Sequence, residues 1–421
     1  MKKLLLLLLP LSIFAQSFML SNIPLPKTYI QNLDPYECDE ECLQDYLDND
    51  MIFSFLSHAD KKLENKEQDE MRVLSTSILN LGSFANTGQL KIALLLPYKK
   101  IGKYASSTTN TAFAYLITRS HPFMLKSYKI ESESKEDIQT ALGQIQTDGF
   151  EYIIAPFTRE GAQNIVSLDP MLNVYFPTIN KKDVNTTSPY LTFGAIDRDA
   201  QSNLLLKEAV SPLIIFSDKS RTGKFLARHQ AAEFKNPTID TSSSEYSQEM
   251  SVYPTRSKYK KNKKVIKYFL SRRVTNLEPY LKENKKIIDG SFFINTPIIK
   301  TGMVVSQLTL YDVNATNVLS TQINYDPLLL SMTQYIDRKD MIVANSITQQ
   351  NNVLIETNSL LGNDIVYDWI NYTTTIGIDY FYSILTGEDR EYQTQIDNNQ
   401  MIYKIELLRP SYSKFIKFTR N

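Results

Sequence analysis

From residue 90 onward the apolar residues gather into short continuous runs rather than alternating ones. The clearest is LKIALLLP at 90–97, where positions 92–96 have no polar interruption. A strand covered on both faces reads this way. Pro97 closes the run, and the following stretch predicts a helix over 101–119. The same phrase returns as YIIAPF at 152–157, VYFPTIN at 174–180, LIIFSD at 213–218 and SFFIN at 291–295. Each is followed by helical sequence or a polar loop, so the pattern predicts repeated strand–helix units of an α/β, doubly wound type.

Further strands are predicted at 123–131 and 191–195, and helices at 135–148, 159–168 and 198–210. The helix at 135–148 carries its own punctuation. Ser134 is placed to cap it, Ile138, Ala141, Leu142 and Ile145 line one face, and Gly149 ends it. After LIIFSD come a helix at 221–235 and a loop rich in Ser, Thr and Asp at 236–249. A helix at 276–284, a strand and helix within 288–313, and strands at 317–326 and 340–347 follow. A long aromatic helix over 363–385 holds Trp369, and alternating strands over 392–419 turn at 397–399.

The first 86 residues read differently. Met1, Lys2 and Lys3 precede an apolar stretch to Phe14, with Ala15 placed for cleavage before Gln16, which predicts a secretory signal peptide over 1–15. The stretch is short for a membrane span, and no later one is long enough, so no transmembrane segment is expected in the mature chain. Residues 16–86 read as an extended, proline-bearing arm followed by a helical module. Its apolar positions suit one or two amphipathic helices near 40–56 and another at 71–81. Eight acids and no base lie between Asp34 and Asp50. That segment is either a solvated helical face or a face for a partner.

Cys38 and Cys42 are the two cysteines of the chain. In an exported protein a disulfide is the first expectation for so close a pair. A spacing of four on an ideal helix is too wide for relaxed bridging, so a distorted first turn or a strained bond is expected. A redox role lacks a C-x-x-C or a neighbouring His, and the scattered His58, His121 and His229 complete no zinc ligand set.

Charge is balanced at 46 basic and 46 acidic residues, so no global field selects nucleic acid or membrane. Thirteen glycines in 421 residues are few for a fold that cradles phosphates. The uneven stretch is 256–273, where Arg256, Lys258, Lys260, Lys261, Lys263 and Lys264 occur without an acid. It reads as a solvated helix start, or as a docking patch for an acidic partner, an anionic glycan or lipid headgroups. No G-x-S-x-G, H-E-x-x-H or complete P-loop is present. SRTGK at 220–224 holds a Gly-Lys pair, but its flanks break the pattern.

LKIALLLP, YIIAPFTREGAQ, YFPTIN, LTFGAIDRDAQ and LIIFSD, in that order, resemble the first two-thirds of the type I periplasmic binding proteins, and IDNNQMIYKIEL resembles their last hairpin. SFFINTPIIKTGMVVSQLTLYD followed by NVLSTQINYD most resembles the LppC-type lipoprotein activators of peptidoglycan synthases, although no lipobox Cys follows the leader. The resemblance covers about 90–419. It implies two parallel-sheet lobes joined by three crossings, expected near 196–199, 319–323 and 388–391. Lobe 1 is then 87–197 with 322–389, and lobe 2 is 198–321 with 390–421. It also implies a cleft at the carboxyl ends of the strands, where Tyr98, Lys99, Thr158, Arg159, Asn180, Lys181 and Asp218 are the candidates.

In amino-acid receptors of that family, the loop matching PFTREG offers hydroxyls and backbone N–H groups to an α-carboxylate. Here Thr158 alone fits that role, and Arg159 or Lys181 could hold an anion by charge-assisted bonds. Either the cleft takes a ligand or its own side chains fill it. The expected protein is non-catalytic and periplasmic, without cofactor, metal or nucleic acid. It acts as an interaction or regulatory module for an envelope assembly, with a periplasmic or envelope protein as partner. The alternative is a solute receptor for a small polar ligand.

Overall fold

The computed structural model describes residues 38–59, 62–78, 90–237 and 263–420. The expected signal peptide and arm, and Arg256, Lys258, Lys260 and Lys261, lie outside the described residues. The chain divides into a helical N-terminal unit and a larger α/β unit.

In the N-terminal unit the helices are Glu40–Asp48, Ile52–His58 and Lys66–Ile78. Asp39 stays extended and its carboxylate accepts from the Cys42 N–H at 2.9 Å, while Glu40 and Glu41 sit in the first turn. Acids there meet the positive end of the helix. Because the helix begins only at Glu40, Cys38 lies outside it, and the Cys38–Cys42 disulfide forms across a Cα separation of 5.4 Å. The expected distortion of the turn is thereby avoided. Leu43, Phe55, Leu56 and Ala59 form the core of this unit. The Gln68 amide reaches back to the Glu40 carbonyl and to the Gln44 side chain, both at 3.1 Å, tying the third helix to the first.

The α/β unit contains β1 (Leu90–Leu96), β2 (Phe123–Lys129), β3 (Tyr152–Ile154), β4 (Asn173–Phe176), β5 (Leu191–Phe193), β6 (Leu213–Asp218) and β7 (Val265–Leu270). It continues with β8 (Ser291–Asn295), β9 (Asn317–Ser320), β10 (Met341–Asn345), β11 (Gln395–Asp397), β12 (Gln400–Ile402), β13 (Glu406–Pro410) and β14 (Phe415–Lys417). The strands form two seven-stranded sheets, ordered β11-β12-β5-β4-β3-β1-β2 and β14-β13-β10-β9-β8-β6-β7. Each is mostly parallel, with its antiparallel pairing confined to the last hairpin strands. The apolar runs supply the central strands: β1, β6, β8 and β10 are buried almost throughout, with Ala93 opposite Ile153 and Ile214 opposite Phe292. Each fully buried Leu, Ile or Phe contributes about 1.5–3 kcal/mol, so the sequence runs fix the sheet interior.

Sheet membership corrects the expected lobe boundaries. The chain first crosses between β5 and β6, within residues 194–212. β9 and β10 both belong to the second sheet, so the second crossing follows 345 rather than lying near 319–323. β11 and β12 return to the first sheet, and the third crossing is the 403–405 link to β13, not 388–391. Residues 322–345 therefore belong with the second lobe and 390–402 with the first. β9 and β10 are both short and mostly buried, and local sequence does not mark which of them ends its lobe.

The basic stretch is corrected too. From Val265 it is strand β7, paired in parallel with β6 over six residues, and not a helix start. Its β-branched and aromatic residues favour a pleated edge. Tyr268 stacks on Phe216 at 5.2 Å, while Lys267 points outward. Lys263 lies over the Phe234 ring, and the Lys264 N–H donates to Ser211 Oγ.

Two further features hold the lobes. Tyr175 passes between Gly194 and Gly377: a Cβ on Gly194 would lie 1.9 Å from its hydroxyl, and one on Gly377 2.3 Å from its ring. Its hydroxyl donates to the Thr373 carbonyl at 2.9 Å, fixing the helix Trp369–Thr386 on the first sheet. In the second lobe Gln230 and Asn295 exchange two side-chain bonds, and Gln230 also donates to Ser202 Oγ, all fully buried.

Candidate functional site

Both sheets share one strand order, β2-β1-β3-β4-β5 matching β7-β6-β8-β9-β10, so each has a switch point beside its first strand. Loops leaving neighbouring strands in opposite directions open a crevice there. A cleft of about 820 Å³ lies at those carboxyl ends. From the first lobe it takes Lys100, Ile101 and Tyr104 after β1, 156–159 after β3, and 178–183 less Lys181 after β4. Residues 195–199 less Asp197 follow from the crossing after β5. The second lobe presents the opening turns of the helix Arg221–Lys235, and Trp369 and Ile370 complete the wall.

Of the seven residues expected here, Thr158, Arg159 and Asn180 line the cleft. Tyr98 and Lys99 instead face Glu131, with Lys99 Nζ 2.7 Å from its carboxylate. Lys181 turns to the β11–β12 turn and donates to the Asn398 carbonyl and side chain. Asp218 accepts from the N–H and hydroxyl of Ser220, whose Oγ in turn caps the helix Arg221–Lys235 through the Gly223 N–H. A Cβ at Gly223 would meet the Asp218 carboxylate, which explains the glycine of SRTGK. Among the docking candidates that are described, Lys263 and Lys264 directly precede β7 and are not among the residues that line this cleft.

Thr158 is already engaged. Its N–H donates to Glu133 Oε1 at 2.7 Å and its hydroxyl donates to Glu133 Oε2. Glu133 is only 3% exposed, and Asn164 holds its backbone carbonyl at 2.7 Å. A Cβ on Gly161 would fall 2.7 Å from the Glu133 carboxyl carbon, so only glycine leaves room for it. A carboxylate of the chain itself therefore rests at the start of the helix Arg159–Leu168, where the positive end of the helix stabilises negative charge.

The remaining charge is mainly basic. Lys182 Nζ sits 2.5 Å from Asp197 and 2.6 Å from Asp199. Burial alone would raise the Asp197 carboxyl, but Lys182 and the N–H groups of Ala200 and Asp199 hold it below the usual carboxylate range. Burial likewise works against the Lys182 ammonium, yet the two aspartates leave it raised. Arg159 lies 3.9 Å from Asp183. Arg198 is stacked on Trp369, 4.9 Å from the ring centroid, and burial lowers its pKa against the fields of Asp183 and Asp199. Arg221, Lys224 and Arg228 recur on one face of their helix, and no ion pair joins them to an acid among the described residues. Sequence reasoning missed these three and Trp369. The spacing of three and seven was a visible signal, but only the fold shows that this face borders the cleft.

No family model matches the sequence, and no curated relative does. Solved structures do match. A putative branched-chain amino acid ABC transporter protein from Rhodospirillum rubrum superposes with a TM-score of 0.56 at 10% identity, covering 78% of this chain and 100% of that one. LivJ from Streptococcus pneumoniae, in complex with isoleucine, gives 0.51 at 10% identity over 78% and 98%. LpoA from Haemophilus influenzae gives 0.50 at 9% identity, over 87% and 68%. The fold is that of the type I periplasmic binding proteins.

Within the type I fold, the resemblance assigned the PFTREG loop to an amino-acid carboxylate. In this chain the Thr158 donors of that loop serve Glu133, and the two acids lining the cleft are engaged with Lys182 and Arg159. What the cleft keeps is space, an aromatic wall and guanidinium groups. Among the described residues, no helix is long and apolar enough to cross a membrane.

Proposed function

We propose that this chain is a non-catalytic, periplasmic binding-protein-like body that works by holding a protein partner in an envelope assembly, of the kind that builds the cell wall. The observation that carries this reading is the Glu133 carboxylate on Thr158: the donors of the loop that the resemblance assigns to an amino-acid carboxylate go to the chain's own Glu133. LpoA, which shares the fold, is the sort of protein the SFFIN and NVLSTQINYD segments resemble. The export expected from the leader agrees with such a setting. Lys263 and Lys264, just before β7, are the described docking candidates for an acidic partner, and Arg256, Lys258, Lys260 and Lys261 are candidates from the sequence alone.

The test is crosslinking in the native envelope followed by identification of the captured protein. One dominant partner is expected, lost when Lys260, Lys261, Lys263 and Lys264 are all changed to Glu, with the melting temperature unchanged. Capture that is indifferent to those charges would contradict the assigned surface, and absence of any crosslinked partner would contradict the reading. A second reading, a receptor for a small ligand, is favoured by the open 820 Å³ cleft.

A further inference from the structure

Three bases of the cleft make no ion pair among the described residues. Arg221, Lys224 and Arg228 project from successive turns of one helix in the second lobe, all exposed. Across from them the first lobe and its crossing place Lys100, Arg159 and Arg198. Asp183 and Asp199 are the acids of the same lining, and Asp199 already serves Lys182. Like charges gathered within a Debye length of about 8–10 Å repel one another unless a counter-charge enters. No acid pairs with the three bases of the second lobe, among the described residues, and the two acids of the lining are engaged with Lys182 and Arg159.

We propose that the cleft binds a small, multiply charged oxyanion, gripped by Arg221, Lys224 and Arg228 from one lobe and Lys100, Arg159 and Arg198 from the other. Guanidinium forks pair with phosphate and carboxylate oxygens bidentately, and both chemistries share this requirement. The volume suits a molecule of modest size. Trp369 and the half-exposed Phe225 offer faces for an apolar part of it. A zwitterionic amino acid is a poor match, because both lining acids are taken and no carboxylate is left for its ammonium. This assignment rests on the two-lobed fold and stands apart from the protein-partner reading.

The experiment is titration calorimetry of the full chain with sodium tripolyphosphate and, separately, citrate, at low and at physiological salt. Saturable one-to-one binding that weakens with salt is expected for at least one of them. Arg221→Gln with Lys224→Gln should weaken it at least tenfold, and Arg228→Gln alone should weaken it severalfold. Lys414→Gln, which removes an exposed charge elsewhere, should leave it unchanged. Tighter tripolyphosphate assigns a phosphorylated ligand, and tighter citrate a polycarboxylate. Absence of saturable binding by either anion, or equal losses in the Lys414 and cleft variants, would overturn the proposal. Loss of the protein partner with anion binding intact would strike only the function proposed above.

Discussion

Glu133 takes both donors of Thr158, its backbone N–H and its hydroxyl, although the two residues are 25 positions apart. The contact joins the segment before one helix to the start of the next and places a buried carboxylate at a helix N-terminus. Leaving a buried donor without a partner costs about 1–3 kcal/mol. Glu133→Ala is therefore expected to lower unfolding stability in urea by about that amount. Glu133→Gln, which keeps an acceptor for the N–H, should lose less than half as much. A neutral Glu133→Ala would show that the contact does not hold this loop.

The Lys182 link to Asp197 and Asp199 predicts a pH dependence at both ends of the scale. Asp197 titrates in the folded state below its ordinary value of 3.8, so its stabilisation is present above that pH and is lost as pH falls through the lower folded value. Lys182 titrates above its ordinary 10.5, so its contribution is present below that pH and is lost as pH rises through the higher folded value. Lys182→Met should flatten both flanks of a melting-temperature profile, with its largest loss against the unchanged protein near neutral pH, where the link is intact, and its smallest at the acid and alkaline ends. All three side chains are partly exposed, which keeps the effect modest.

Gln230 and Asn295 form a closed pair of amide bonds inside the second lobe. Gln230→Leu strands the Asn295 amide in an apolar interior and should cost about 1–3 kcal/mol. Adding Asn295→Leu should cost less than the sum of the two single changes, because the partners share one network. A double-mutant cycle in urea measures this directly, and strict additivity would contradict it.

Gly377 lies against Tyr175 so closely that any side chain displaces the ring. Gly377→Ala is expected to destabilise by about 1–3 kcal/mol through overpacking. Tyr175→Phe should not rescue it, since the nearest atoms are ring carbons rather than the hydroxyl. Thermal unfolding of the two variants and their combination checks both statements.

Much of this fold is legible in the sequence because buried parallel strands leave unbroken apolar words. LKIALLLP, LIIFSD and SFFIN are strands in the structure, and the helix Lys135–Thr147 has the cap at Ser134 and the buried face that its spacing announced. The lobe crossings were not legible: β9 and β10 are both short, mostly buried strands, and membership of a sheet is decided by partners far along the chain. β7 was hidden by the lysines before it, since charge ahead of a strand and charge at a helix start look the same. The cleft was half visible. Thr158, Arg159 and Asn180 follow strands and could be placed there, whereas Arg198 beside Trp369 joins residues 171 positions apart, which no local pattern reports.

The central proposal is that the chain has the type I fold but gives the donors of the Thr158 loop, which the resemblance assigns to an amino-acid carboxylate, to its own Glu133. Its most direct test is a thermal-shift and calorimetric screen of the intact protein against the twenty amino acids at millimolar concentration. The account predicts no saturable stabilisation by any neutral amino acid, because a ligand that binds only the folded state must raise its melting temperature. Dose-dependent stabilisation by leucine or isoleucine, abolished by Thr158→Val, would contradict it.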